Sequence, residues 1–128
     1  MRKTQYTKEM IIEAGLRQLK ESGWEGMTPK LVANRLGAST MPIFSHFATM
    51  TELKKAVLDR AWEVLFEYCS RKYTGDIWVD QSVGYVIFAR DHGLLFNCMH
   101  YGSPDEISER RYQFWVELSQ PLEGLSYF

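Results

Sequence analysis

Between Thr7 and Ser22 the apolar positions fall on one side of a helical wheel: Ile11, Ile12, Gly15, Leu16 and Leu19 form a single stripe, and Gly23 follows as a stop. This spacing predicts an amphipathic first helix over 7–22. Thr28-Pro29 opens a second, with a hydroxyl cap and then a proline at the first helical position, where its missing amide costs nothing. That helix is short, running through Leu31, Val32 and Leu36 before Gly37 ends it. Ser39 or Thr40 caps a third short helix carrying Ile43 and Phe47 on one face, with Pro42 tolerated in its first turn. Thr49-Met50-Thr51-Glu52 forms a capping box that opens a long fourth helix. The fourth helix is expected over about 50–73, with Leu53, Val57, Ala61, Leu65 and Tyr68 inward. Arg71 and Lys72 would lie in its last turn, where cations suit the helix dipole, with Thr74-Gly75 as the stop.

The second half continues in the same manner. Asp76 is the candidate cap of a helix over 77–91, closed by His92-Gly93. Its apolar residues (Ile77, Trp78, Val79, Val83, Tyr85, Val86, Ile87, Phe88 and Ala89) surround the axis, the pattern of a central helix packed on every side. Leu94 to Tyr101 is a short apolar segment ended by Gly102. Ser103-Pro104-Asp105-Glu106 repeats the cap, proline and capping-box pattern and starts a last helix to about Ser119, ahead of Pro121. No stretch alternates with the period of a strand, so the fold is expected to be all-α. The organisation expected is a three-helix domain over 1–49, then a helical domain over 50–128 that the fourth helix joins to it.

Charge adds an asymmetry that the overall net of −1 conceals. Through Arg60 there are ten Lys/Arg against six Asp/Glu, a net of +4, whereas the remainder has five against ten, a net of −5. A basic half joined to an acidic half suits a chain of which one end meets phosphates. No run approaches a membrane span and the start lacks a secretory apolar stretch, so a cytoplasmic protein is expected, with no membrane partner. Cys69 and Cys98 form no CxxC pair and read as buried thiols. His92, Cys98 and His100 match no common metal spacing, and GxSxG, phosphate-cradling glycine loops and HExxH are missing from the sequence. Neither catalysis nor a cofactor is expected.

Two short helices separated by Gly37-Ala38-Ser39 satisfy the spacing of a helix-turn-helix, whose second helix enters the DNA major groove. The surrounding residues make the pattern more specific. Gly23 and Gly26, Thr28, Val32-Ala33-Asn34-Arg35-Leu36-Gly37, Ser39-Thr40-Met41-Pro42-Ile43-Phe44-Ser45-His46-Phe47 and Glu52-Leu53 follow one another without a gap. Over this stretch the chain resembles the N-terminal domain of TetR-type (tetracycline-repressor-like) transcriptional regulators. The resemblance implies Ile43 and Phe47 packed with Leu16, Leu36 and Leu53. It also implies a DNA-facing set made of Thr28, Pro29, Lys30, Ser39, Thr40, Met41, Pro42, Phe44, Ser45 and His46, to which Lys54, or alternatively Lys55, adds a cation at the fourth helix. For His46, a backbone contact and a purely structural role remain equal alternatives.

The sequence departs from the family in two places. Phe44 stands where the family usually has a tyrosine whose hydroxyl reaches phosphate, and Met50 where it usually has lysine. Both changes remove a phosphate contact, and Pro42 and Met41 donate nothing to base edges. Readout then leans on thymine methyls and DNA shape, and affinity is expected to be weaker than usual.

The resemblance further implies that the second half binds an effector and dimerises. Trp62, Phe66, Ser82, Tyr85, His92, Met99, Tyr112 and Trp115 are candidates for a pocket taking a lipophilic or aromatic small molecule. Against this stands the commoner role of such aromatic stripes, which is core. Two further helices usually complete the family's dimer interface; the apolar, uncapped ending Leu125-Ser126-Tyr127-Phe128 reads as that of a fragment, the alternative being dimerisation through another surface such as the helix from Ser103 to Ser119. Function is thus expected to be that of a ligand-responsive, homodimeric regulator, a repressor acting on a double-stranded operator. The alternative is a helical protein-interaction module that has lost sequence-specific DNA binding.

Overall fold

Thr7 begins the first helix: its hydroxyl accepts from the Met10 amide at 3.1 Å, and α1 runs Lys8–Ser22. The computed structural model describes residues 5–101 and 104–120, with side chains for 5–101 and 110–120. Among these residues there is no strand, and the fold is all-α. A 3₁₀ turn (Gly23–Gly26) leads to α2 (Pro29–Leu36), α3 (Met41–His46), α4 (Met50–Cys69), α5 (Ile77–Asp91), α6 (Gly93–Tyr101) and α7 (Pro104–Ser119). The chain divides into two compact units, Met1–Arg60 and Ala61–Phe128, so α4 contributes its first half to one and its second half to the other.

In the first unit, Ile11, Leu16, Leu19, Met27, Val32, Ile43, Phe47, Leu53 and Val57 form the core. Leu36, expected beside them, is only half-buried. Gly15 sets the approach of α1 to α4, since a Cβ there would lie 2.7 Å from Val57 Cγ2. Gln18, buried on α1, fixes the helices to one another. Its amide donates to the Gly26 carbonyl at 3.1 Å, and its oxygen accepts from Arg35 Nε of α2 at 2.5 Å. Arg35 also pairs with Glu21. Gln18→Met keeps the side-chain volume but strips these partners, and is expected to cost about 1–3 kcal/mol in urea denaturation.

The second unit is organised on a narrow stripe of α5. Asp80, Gly84 and Phe88, each four residues from the next, are its buried residues. Burial on every side, expected from composition, is not found: Trp78 is 60% and Val86 65% exposed. α4 also ends at Cys69, short of Lys72. Its last turn tightens, with the Ser70 amide donating to the Phe66 and Glu67 carbonyls, and the following loop is captured by Asp80. The Asp80 carboxylate accepts from the Thr74 amide (2.7 Å), the Thr74 hydroxyl (2.8 Å) and the Gly75 amide (3.2 Å). Desolvation raises the Asp80 pKa, but these donors outweigh it and hold the group below the ordinary carboxylate value. The capping box expected at Ser103-Pro104-Asp105-Glu106 lies outside the described side chains.

Candidate nucleic-acid interface

Three local devices present α3. Thr28 caps α2 by accepting from the Leu31 amide at 3.2 Å, with Pro29 at its start. Gly37 ends α2 in the left-handed region (φ 70°, ψ 31°), where L side chains are strained. The Gly37 amide then reaches the Asn34 carbonyl and the Ala38 amide the Ala33 carbonyl, the paired bonds of a Schellman turn. Of the two cap candidates for α3, Ser39 accepts from the Met41 amide at 3.4 Å, whereas Thr40 makes no side-chain capping bond. The third device is the Thr49–Glu52 box at the start of α4. Thr49 accepts from the Glu52 amide (3.2 Å), and Glu52 reaches back to the Ala48 amide (2.9 Å).

Held at both ends, α3 buries Ile43 completely, with Phe47 just beyond it, and turns the opposite face outward. Met41 is 78% and Phe44 46% exposed, with Ser39 and Ser45 exposed nearby and Pro42 and Thr40 half-buried. The Ser45 hydroxyl is directed to the Pro42 carbonyl at 2.8 Å. Thr28 and Lys30 are exposed, and Pro29 and Lys54 half-buried. His46 Nε2 lies 2.7 Å from the Tyr6 carbonyl, which ties α3 to the segment before α1 and favours the structural alternative for this residue. Between that segment and α3 runs an open groove of about 740 Å³ lined by Gln5, Tyr6, Lys8, Ser39, Met41 and Pro42, among others. Sequence reasoning missed Tyr6 and Lys8. Lys8 lies 5.2 Å from the centre of the Phe47 ring, and the only hint of this was its place one residue past the Thr7 cap.

The residues expected to form an effector pocket are distributed between the core and the surface of the second unit. Trp62 and Met99 are completely buried in the core of the second unit. Tyr85 donates to or accepts from His100 Nε2 at 2.7 Å, and Trp115 lies against the Tyr85 ring. His92 meets the Tyr68 hydroxyl at 3.2 Å. Ser82 and Tyr112 are exposed, and the Ser82 hydroxyl bonds to the Trp78 carbonyl of its own helix. Phe66 lines a cavity of about 230 Å³ beside the end of α4. Aromatic density marked packing, since tilted and edge-on ring pairs fill this core.

His100 is the titratable centre of the aromatic cluster. It stacks on Phe96 (centroids 4.0 Å apart), and its Nδ1 lies 2.8 Å from the Phe96 carbonyl. Desolvation lowers its pKa from the ordinary 6.5, with a smaller push from the Arg111 charge, against the backbone bond to Phe96, which raises it. A depressed histidine binds its proton more weakly folded than unfolded. Its contribution to stability is therefore complete above the unfolded value of 6.5 and declines as pH falls from there through the folded pKa. Urea denaturation between about pH 7.5 and about pH 5.5 is expected to lose stability in the wild type, and His100→Asn should reduce that loss.

Both cysteines are buried thiols, and burial pushes the Cys69 thiol up to about 11. Among the described residues, no helix is long and apolar enough to cross a membrane, and no cluster of metal-ligating side chains occurs. No family model matches the chain, and no curated protein matches it.

Proposed function

We propose that this chain is a ligand-responsive DNA-binding regulator of the TetR type, a repressor that acts as a homodimer on a double-stranded operator. The observation that carries this reading is the division of α3, with Ile43 buried to anchor the helix and Met41 and Phe44 turned outward. A helix of this kind, held at both ends and projecting small and apolar side chains, fits a major groove and its thymine methyls. Thr28 and Lys30 at the start of α2 supply a hydroxyl and a cation for phosphate, and the net of +4 through Arg60 supports the same end of the chain as the phosphate-binding one. Two copies are needed to read half-sites about 34–36 Å apart. In this account an effector favours the DNA-free arrangement of the dimer through α4, the helix common to both units, and it must bind that state more tightly.

A second reading is a helical interaction module that no longer reads DNA. It is favoured by the apolar character of the outward residues, Met41 and Phe44 on α3 and Trp78 and Val86 on α5. Selection from a pool of randomised duplexes at low salt separates the two. An enriched sequence motif is the result expected of the regulator, and Lys30→Ala should weaken binding evenly across sequences. No retained duplex at low salt would leave the interaction module.

A further inference from the structure

The cavity beside the end of α4 lies wholly within the second unit and has an uneven lining. Phe66 and Cys69 of α4, Ile77 of α5 and Leu118 of α7 make it apolar, and the Cys69 thiol stays protonated there. Arg71 and Lys72 line it as well, both exposed. The unit around them is acidic, with a net of −5 beyond Arg60, yet neither cation has an ion-pair partner among the described residues. By contrast, Arg90 pairs with Asp91 and Arg110 with Glu117. Asp80, the carboxylate that also lines the cavity, is ionised, but its oxygens accept from the Thr74 and Gly75 donors, and its single charge is outnumbered by the two cations. The Arg71 guanidinium lies 4.1 Å from the centre of the Tyr68 ring, which holds its planar donors in place ahead of any ligand.

We propose that this cavity binds a small monocarboxylate with an apolar body, its tail against Phe66, Cys69, Ile77 and Leu118 and its carboxylate at Arg71 and Lys72. An apolar interior with a cationic rim complements an anionic amphiphile and disfavours a cationic one. At about 230 Å³ the space falls below the roughly 300 Å³ at which drug-sized sites begin, so the fitting ligands are medium-chain fatty acids or compact arylcarboxylates. The site lies apart from Trp62, Tyr85, His92 and Met99, and sequence reasoning did not find it. Its one sequence signal was Asp80, an acid within an otherwise apolar stretch. The proposal gives the regulator's effector a chemical class and depends on that reading only for its regulatory consequence.

The test is a titration of the full chain, without DNA, with octanoate below its micellar concentration, followed at the Ile77 methyl by NMR and checked by calorimetry. Octanol and octylamine serve as the neutral and cationic counterparts. Saturable shifts at Ile77 with octanoate, and at least tenfold weaker binding of octanol, are expected. Arg71→Glu with Lys72→Glu should weaken octanoate at least tenfold and turn the preference toward octylamine. If that pair disturbs the fold, Arg71→Gln with Lys72→Gln should still give the tenfold loss. The proposal is overturned if Ile77 shows no saturable shift, if octanol binds as tightly as octanoate, or if a folded charge variant keeps wild-type affinity. Octanoate binding in a chain that retains no duplex would sink the regulator reading and leave the site standing.

Discussion

Replacing Gly84 by alanine is expected to destabilise the second unit by about 2–3 kcal/mol, even though alanine improves helix propensity by about 1 kcal/mol. A Cβ at this position would lie 2.2 Å from the Tyr68 carbonyl oxygen and 2.7 Å from the Cys69 Cα, both backbone atoms at the end of α4. Backbone cannot swing aside as a side chain does, so α5 would have to move away from α4. That movement would also strain the Asp80 bonds to Thr74 and Gly75, which lie one turn earlier on the same stripe. Gly15→Ala offers the contrast. There the obstacle is a methyl of Val57, and the double substitution with Val57→Ala should recover part of the lost stability. For Gly84 no truncation of Tyr68 should help, because the clash is with its main chain. Denaturant titrations of the four variants, with near-UV circular dichroism to follow the tryptophans, distinguish the two cases.

The second large effect is expected on α3. Met41→Asp and Phe44→Asp place a carboxylate on the face proposed to meet DNA, at side chains that are mostly or half exposed and contribute little to the core. Each should lower duplex affinity about a hundredfold or more through repulsion from phosphate and loss of apolar contact with base methyls, while leaving the melting temperature nearly unchanged. Ile43→Asp would also abolish binding, but by unfolding the unit from its core, so it does not inform on the interface. Phe44→Tyr should act in the opposite direction and tighten binding modestly, because a phenolic hydroxyl on this exposed ring can donate to phosphate.

The first unit could be read from sequence because its signals are local. Thr7, Thr28 and the Thr49–Glu52 box act on amides within four residues, and Gly37 acts on its own backbone. Asp76 likewise caps α5 where expected, accepting from the Trp78 and Val79 amides. What failed depended on partners distant in sequence or on which face has neighbours. The composition of α5 shows hydrophobicity around the whole axis, but only Asp80, Gly84 and Phe88 are buried, whereas Trp78 and Val86 are exposed. The end of α4 was placed at Lys72 on the strength of its cations, whereas capture of Thr74 and Gly75 by Asp80 turns the chain earlier. The outward-facing residues on α3 follow from helical spacing once Ile43 and Phe47 are recognised as core. A pocket has no such period, and of the aromatic side chains chosen for it Trp62, Tyr85 and Trp115 take part in ring pairs.

Because the DNA-reading role of α3 underlies the whole account, it is tested most directly by equilibrium binding of the wild type and Met41→Asp to a selected duplex and a scrambled one across a salt series. The account predicts that near physiological salt the wild type holds the selected duplex at least tenfold more tightly than the scrambled one, that affinity falls as salt rises, and that folded Met41→Asp loses the preference. Equal affinity for both duplexes, no binding even at low salt, or an unchanged preference in Met41→Asp would contradict it.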